Sequence, residues 1–255
     1  MSEHGHGHGH GHHDGHGHGH GHGHGNGDDL ADVLDLDAEL LAGHTASIIE
    51  WLPVSNPRHI VDLGAGTGAG TFALLASFPE AHITAVDSSV DHLGRLRDKA
   101  GELGLADRVH TVLADLDAEW PDLGKPDLVW ASGSLHHMAD PDDTLRRLHD
   151  TLAPGGVVAV VEMAGMPRFF PEQAPDGHDE RVPHRGADWG PKLTGAGFTV
   201  EGERTVTIHI ERSPAVERYA RIVLRRHLDP EAVEDALRRD DLSLRTEREV
   251  WAASK

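Results

Sequence analysis

A doubly wound α/β domain is the fold class this sequence predicts, and three observations carry it. Short runs rich in β-branched and apolar residues alternate with longer stretches whose apolar residues recur at helical spacing, as strands joined by covering helices require. A glycine-rich turn, Gly64-Ala-Gly-Thr-Gly-Ala-Gly70, stands between the first such run and the first helix after it. About twenty residues beyond that turn a second run ends on Asp87, where a carboxylate lies beside the turn if two neighbouring strands are parallel.

Residues 1–27 precede this pattern and are almost wholly His and Gly, with eleven histidines between His4 and His24. Such a stretch cannot bury a core, so a disordered tail is expected. Its imidazoles are free to converge on Ni, Zn or Cu, unless it is merely a solvated tail or an affinity tag outside the fold. The segment has neither the basic patch nor the apolar core of a secretory signal. Residues 28–255 are read as one domain, long enough for a sizeable core. The formal net charge is −20, and only Glu3, Asp14, Asp28 and Asp29 of the acids fall before Leu30. So acidic a domain repels phosphates, which disfavours a nucleic-acid substrate. There is no cysteine, hence no disulfide or thiolate metal site. With no apolar run of about 18 residues, no membrane span is expected and the cytoplasm is the default location.

From Leu30 to Leu52, apolar residues including Leu34, Leu41, Ile48 and Trp51 recur at helical spacing until Pro53, predicting one or two helices. Arg58 to Leu63 reads as the first strand, and Phe72, Leu74, Leu75 and Phe78 mark the helix after the glycine turn. Ala81 to Val86 is the second strand and a helix follows through Val90, Leu93 and Leu96, with Ser88 or Ser89 available as its cap. Arg108 to Leu113 and Asp127 to Ala131 are the third and fourth strands, Thr144 to Leu152 the next helix, and Val157 to Val161 the fifth strand. Gly165 to Pro191 is a polar insertion rich in Pro, Gly and His. Thr199 to Ile210 then reads as a strand, Ala215 to Leu237 as helical around Pro230, and Thr246 to Ala253 as the last strand. Asp-Leu-Asp-Ala-Glu occurs at 35–39 and at 115–119, which implies no structural repeat.

The glycine turn lacks the Lys-Ser/Thr of a nucleoside triphosphate loop, and it meets the dinucleotide fingerprint only in the looser form, with Ala69 at the sixth position. Asp62, two residues before the first glycine, would repel a pyrophosphate. It would attract the ammonium of an amino-acid ligand, whose carboxylate could take the turn amides and the positive end of the helix. Asp62-Leu-Gly64-Ala65-Gly66-Thr-Gly68 resembles the first motif of class I S-adenosylmethionine-dependent methyltransferases. Leu135-His136-His137 with Asp140-Pro141, and Leu152-x-Pro154-Gly155-Gly156, resemble the later motifs of that family, in particular its quinone-biosynthesis group.

The resemblance spans Arg58 to about Met163 and implies a Rossmann-like sheet of seven strands, mostly parallel with the last antiparallel. It implies S-adenosyl-L-methionine as cofactor, held by Asp62, Gly64, Ala65, Gly66 and Gly68, with Asp87 and Ser88 at the ribose. Asp115 and the backbone of Leu116 would meet the adenine, and Ser132 would lie nearby. The insertion at about 164–191 would line the substrate pocket. Methyl transfer is a direct displacement to an O-, N- or C-nucleophile of a small-molecule acceptor, so a hydroxyl acceptor gains from a base. His136 and His137 are the candidates for it, or else they shape the pocket. Glu162, Arg168, His184 and Trp189 fall near the expected mouth, and His44 and Trp51 are within possible reach. A nicotinamide oxidoreductase explains the glycine turn and Asp87 but leaves Asp62 without a role. A metal-binding or metal-delivery protein on the same fold would explain the tail. The oligomeric state is open.

Overall fold

The structure is a computed structural model that describes residues 25–173 and 184–255. Its strands are β1 (His59–Leu63), β2 (His82–Asp87), β3 (Val109–Leu113), β4 (Leu128–Ser132), β5 (Val157–Met163), β6 (Thr199–Glu211) and β7 (Ser243–Ser254). The helices are α1 (Gly25–Trp51), α2 (Ala69–Ser77), α3 (Val90–Glu102), α4 (Pro141–Thr151), α5 (Trp189–Gly195), α6 (Pro214–Leu224) and α7 (Pro230–Leu237). One seven-stranded sheet runs β3-β2-β1-β4-β5-β7-β6. The first five strands pair in parallel, and β7 runs antiparallel to both β5 and β6. This is the expected Rossmann-like sheet with its last strand reversed.

Alternation along each central strand sorts the core into two layers, because successive side chains point to opposite faces of a sheet that is covered on both. Val61, Leu63, Val129 and Ala131 join Leu145 and Leu148 of α4 and Trp189 and Leu193 of α5. Ile60, Leu128 and Trp130 join Leu74 and Leu75 of α2 and Ile48 and Ile49 of α1 on the other face. A third cluster packs α6 and α7 with Phe169, Phe170 and Leu36 of α1.

Three helices begin on an acid or serine followed by proline: Asp140-Pro141, Ser213-Pro214 and Asp229-Pro230. In each the capping side chain accepts an amide of the first turn and proline fills a position that needs no donor. The cap at Asp140 starts α4 before the expected Thr144, and the cap at Asp229 splits the expected 215–237 stretch into α6 and α7. The N-terminal stretch is a single helix of 27 residues that begins at Gly25, inside the span read as tail. The remainder of that span, and residues 174–183 of the insertion, lie outside the described residues.

β1 and β4 are neighbours, while the chain leaves β1 towards β2 and leaves β4 towards β5. The crevice beyond their carboxyl ends is where an open α/β sheet binds its ligand.

Candidate active site

A cavity of about 500 Å³ occupies that crevice. Every cofactor residue expected from the sequence except Gly68 lines it: Asp62, Gly64, Ala65 and Gly66 after β1, Asp87 and Ser88 after β2, Asp115 and Leu116 after β3, and Ser132 at the end of β4. Gly68 caps α2 from beneath, with φ +98° and Phe72 and Leu96 where its Cβ would stand. Gly64 and Gly66 also have positive φ, at +75° and +53°. A Cβ on Gly64 would lie 2.4 Å from Cβ of Ser134, so the turn and the segment after β4 close on each other only through glycine.

Most turn amides are engaged inside the protein, contrary to the expectation that a ligand carboxylate could take them. Gly64 and Ala65 both donate to the carbonyl of Val86, at 2.8 and 2.9 Å, and Gly68 donates to Ala65 at 2.9 Å. Gly66 donates to Oδ2 of Asp87 at 2.8 Å. Asp87 thus ties the turn to β2, and its Oδ1 takes the Ser89 amide at 2.8 Å with His92 Nδ1 at 3.4 Å. Ser89 is the cap of α3, accepting from the His92 amide, which leaves Asp87 free of that task. What remains for an anion is the first turn of α2, whose amides have no partner within the helix.

Asp62 is 2% exposed and takes the hydroxyl of Thr71 at 2.7 Å. Burial raises its pKa to about 6, against the pull of the hydroxyl and amide of Thr71. A buried carboxylate on the cavity wall can pair with a cationic group of a ligand there.

His136 and His137 part company. Leu135–His137 form one 3-10 turn, in which consecutive side chains diverge. His136 turns inward, is 2% exposed and does not line the cavity. Its Nδ1 lies 2.5 Å from Oε2 of Glu162, whose other oxygen accepts the Leu135 amide at 3.0 Å. His137 lines the cavity, its ring 4.0 Å from that of His136. Burial, then the neighbouring His136, hold its imidazole below the ordinary range, with Glu162 pulling the other way. A neutral imidazole at neutral pH can accept a proton.

Of the residues placed near the mouth, Trp189 is fully buried in the core, Arg168 bridges to Arg245 on β7, and Glu162 is the buried partner of His136. His184 is half-buried in the insertion and is not among the cavity residues. Trp51 packs under Gly202 and Arg204, away from the site, while His44 lines a small neighbouring cavity. Sequence reasoning passed over Leu30, Leu34 and Asp37 of α1, and Trp130, Ser134 and Met138, all of which line the main cavity. Leu30 and Leu34 stand one helical turn apart, so they share a face of α1, and there Leu30 is exposed and Leu34 half-buried.

The cavity suits a polar ligand. Thr67 Oγ1, Trp130 Nε1 and Ser134 Oγ are buried at its wall without a hydrogen-bond partner among the described residues. Donors left in this way cost stability unless a ligand or water meets them. With the carboxylates of Asp62, Asp87 and Asp115 around a glycine cradle, the donor set fits a cationic amino acid joined to a nucleoside. Among the described residues no group of three or more His, Asp and Glu is placed to hold a metal ion, and the tail histidines lie outside them. No helix among them is long and apolar enough to cross a membrane.

Residues 61–158 match the family model of the methyltransferase domain. The chain carries a class I methyltransferase domain. Trans-aconitate 2-methyltransferase of Acidovorax sp. (strain JS42) is 40% identical to it over 120 residues, covering 46% of this chain and 44% of that protein. Trans-aconitate 2-methyltransferase of Methylobacterium nodulans is 31% identical over 178 residues, covering 64% of this chain and 66% of that protein. The chain therefore spans less than half the length of the first of these relatives. Among solved structures, phosphoethanolamine N-methyltransferase 2 of Haemonchus contortus in complex with S-adenosyl-L-methionine has a TM-score of 0.55 at 16% identity, over 88% of this chain and 57% of that one. The cyclase SpnF has a TM-score of 0.56 at 21% identity, over 84% and 81%. These two likenesses speak for the fold of the methyltransferase domain alone.

Proposed function

We propose that this protein transfers a methyl group from S-adenosylmethionine to a small-molecule acceptor, in the cytoplasm. The observation that carries the reading is the pairing of a buried, cation-seeking carboxylate, Asp62, with a second carboxylate, Asp87, across one glycine cradle. A nicotinamide dinucleotide gives Asp62 nothing to do. When bound, S-adenosylmethionine supplies an electrophilic methyl group on a sulfonium, which a nucleophile takes by direct displacement.

The chain's part is to hold, orient and keep dry. Asp62 binds the ammonium, Asp87 the ribose hydroxyls with Ser88 beside them, Asp115 the adenine amino group and the backbone of Leu116 the neighbouring ring nitrogen. Ser132 and Ser134 stand at the end of β4, where donor and acceptor would meet. Leu30 and Leu34 of α1 supply apolar lining on the helix side of the cavity, which a bound donor would cover. His137 takes the proton from a hydroxyl acceptor; a carboxylate has none to give, and an amine attacks through its lone pair and loses its proton only from the ammonium product. His136, locked by Glu162, fixes the turn that presents His137. The relatives, named for methylating trans-aconitate, support an acceptor of metabolite size.

Calorimetric titration of the full chain tests the donor half of this reading. Micromolar binding of S-adenosylmethionine and S-adenosylhomocysteine, with none of NADH or NADPH, is the expected result; the reverse pattern sinks it. Because the cyclase SpnF shares the fold, binding must be followed by mass spectrometry of products from a panel of small acids, phenols and amines. A gain of one methylene on an acceptor is required.

A further inference from the structure

A second, smaller cavity of about 60 Å³ adjoins the first. The two share Asp37, Ala69, Gly70, Trp130 and Ser132, and the smaller one continues to His44 of α1 and Arg248 of β7. Its volume suits a group of a few heavy atoms, since a water molecule alone takes about 30 Å³ of liquid. Trp130 Nε1, buried and without a partner among the described residues, stands at the junction.

Arg248 is only 7% exposed, and a buried guanidinium requires an anion. Asp37 supplies it: Nη2 of Arg248 donates to Oδ2 of Asp37 at 3.1 Å, while the Tyr219 hydroxyl donates to Oδ1 at 3.1 Å. Nη1 of Arg248 is held by Thr246 Oγ1 at 2.8 Å, so the cation is fixed from behind. Asp37 is the looser partner. It sits on the covering helix with its side chain 30% exposed, and it borders both cavities. The arrangement is a fixed cation on the wall of the smaller cavity, paired with a carboxylate that has water within reach.

We infer that Arg248 is the seat for a carboxylate of the methyl acceptor, and that Asp37 occupies this seat in place of the acceptor. The inference rests on the proposed methyl transfer and names its substrate class, a small molecule bearing at least one carboxylate besides the atom that receives the methyl group. Exchange of one carboxylate for another leaves the buried charge balanced, and Nη2 of the guanidinium, which now donates to Asp37, can donate to either. Asp37 then turns to solvent on α1, which couples acceptor binding to the helix that covers the donor cavity. A neutral acceptor, or an amine, would leave Arg248 with Asp37 and gain nothing from it.

The test uses the full chain, saturated with S-adenosylhomocysteine, with tricarballylate as probe and its triamide as the neutral control, read by calorimetry. Wild type is expected to bind the acid and not the amide. Asp37→Asn removes the competing charge and should tighten the acid about tenfold or more, and Arg248→Gln in that background should abolish the gain. Because Asp37 also borders the donor cavity, S-adenosylhomocysteine affinity is measured in each variant, and acid binding is compared only at saturating S-adenosylhomocysteine. The inference is overturned if Asp37→Asn binds tricarballylate, succinate and benzoate no tighter than wild type does, or if Arg248→Gln leaves the gain in place. Should the double variant fail to fold, the comparison of Asp37→Asn with wild type decides alone. If S-adenosylhomocysteine itself does not bind, the donor assignment fails, and tricarballylate titrated without it still reads the seat.

Discussion

Asp62 is buried against its own charge, and this sets a pH dependence of known sign. Its folded pKa of about 6 lies above the 3.8 of an ordinary aspartate, so between these values the native state holds a proton that the unfolded chain has lost. Stability therefore falls as pH rises through that window, by roughly 3 kcal/mol once both states are ionised. Asp62→Asn is expected to flatten that decline in urea melts between pH 4 and 7. In wild type the affinity for S-adenosylmethionine should rise as pH passes 6, because only the ionised carboxylate pairs with the ammonium, and a flat affinity across pH 5–7 would remove Asp62 from that role. At Asp87, substitution by alanine should weaken cofactor binding by about 2–4 kcal/mol through the loss of charge-assisted hydrogen bonds. The same variant frees the Gly66 amide, so proton exchange at Gly66 separates turn loosening from lost ligand contact. Both acids were legible from their distance to the glycines. The contrast between His136 and His137 was not, since two adjacent identical residues give no sign of which one a tight turn faces inward.

The segment after β4 is held by one contact set, and its strength can be measured. Glu162 at the end of β5 takes both the Leu135 amide and His136 Nδ1, in a place closed to water. Glu162→Ala leaves two buried donors unmet and is expected to cost about 2–4 kcal/mol in denaturant unfolding. His137→Ala, at an open cavity wall, should change stability by less than about 0.5 kcal/mol. Equal losses in the two variants would show that the inward and outward faces of the turn had been exchanged. At this scale the strands and most helices follow from periodicity and from caps, as the Asp-Pro and Ser-Pro starts of α4, α6 and α7 illustrate. The role of Glu162 does not, because a lone acid at a strand end reads equally as a surface charge until the neighbouring strand's loop is known.

Over the whole molecule the covering helix decides what the site can hold. Leu30, Leu34 and Asp37 line the donor cavity, and Leu34 approaches the position of a Cβ on Gly66 to 3.2 Å. Removing residues 1–24 should leave S-adenosylhomocysteine affinity within about twofold, whereas removing residues 1–35 should weaken it by about tenfold or more, both read by calorimetry. A large loss on the shorter deletion would bring the His/Gly segment into the site. The repeated pentapeptide shows where local reading ends: Asp-Leu-Asp-Ala-Glu is helix at 35–39 and a turn beyond β3 at 115–119. The same five residues border the cavity from both sides, through Asp37 and through Asp115, Leu116 and Asp117. By itself the sequence determined the alternation of strand and helix, the glycine turn and the acids spaced from it, because these depend on backbone geometry over a few neighbouring residues. Only the tertiary structure decided that α1 lies over the crevice, that His136 is sealed while His137 is open, and that Arg248 meets Asp37 across 211 residues of chain. Those contacts arise where separate amphipathic faces pack, and an apolar face specifies burial without naming its partner.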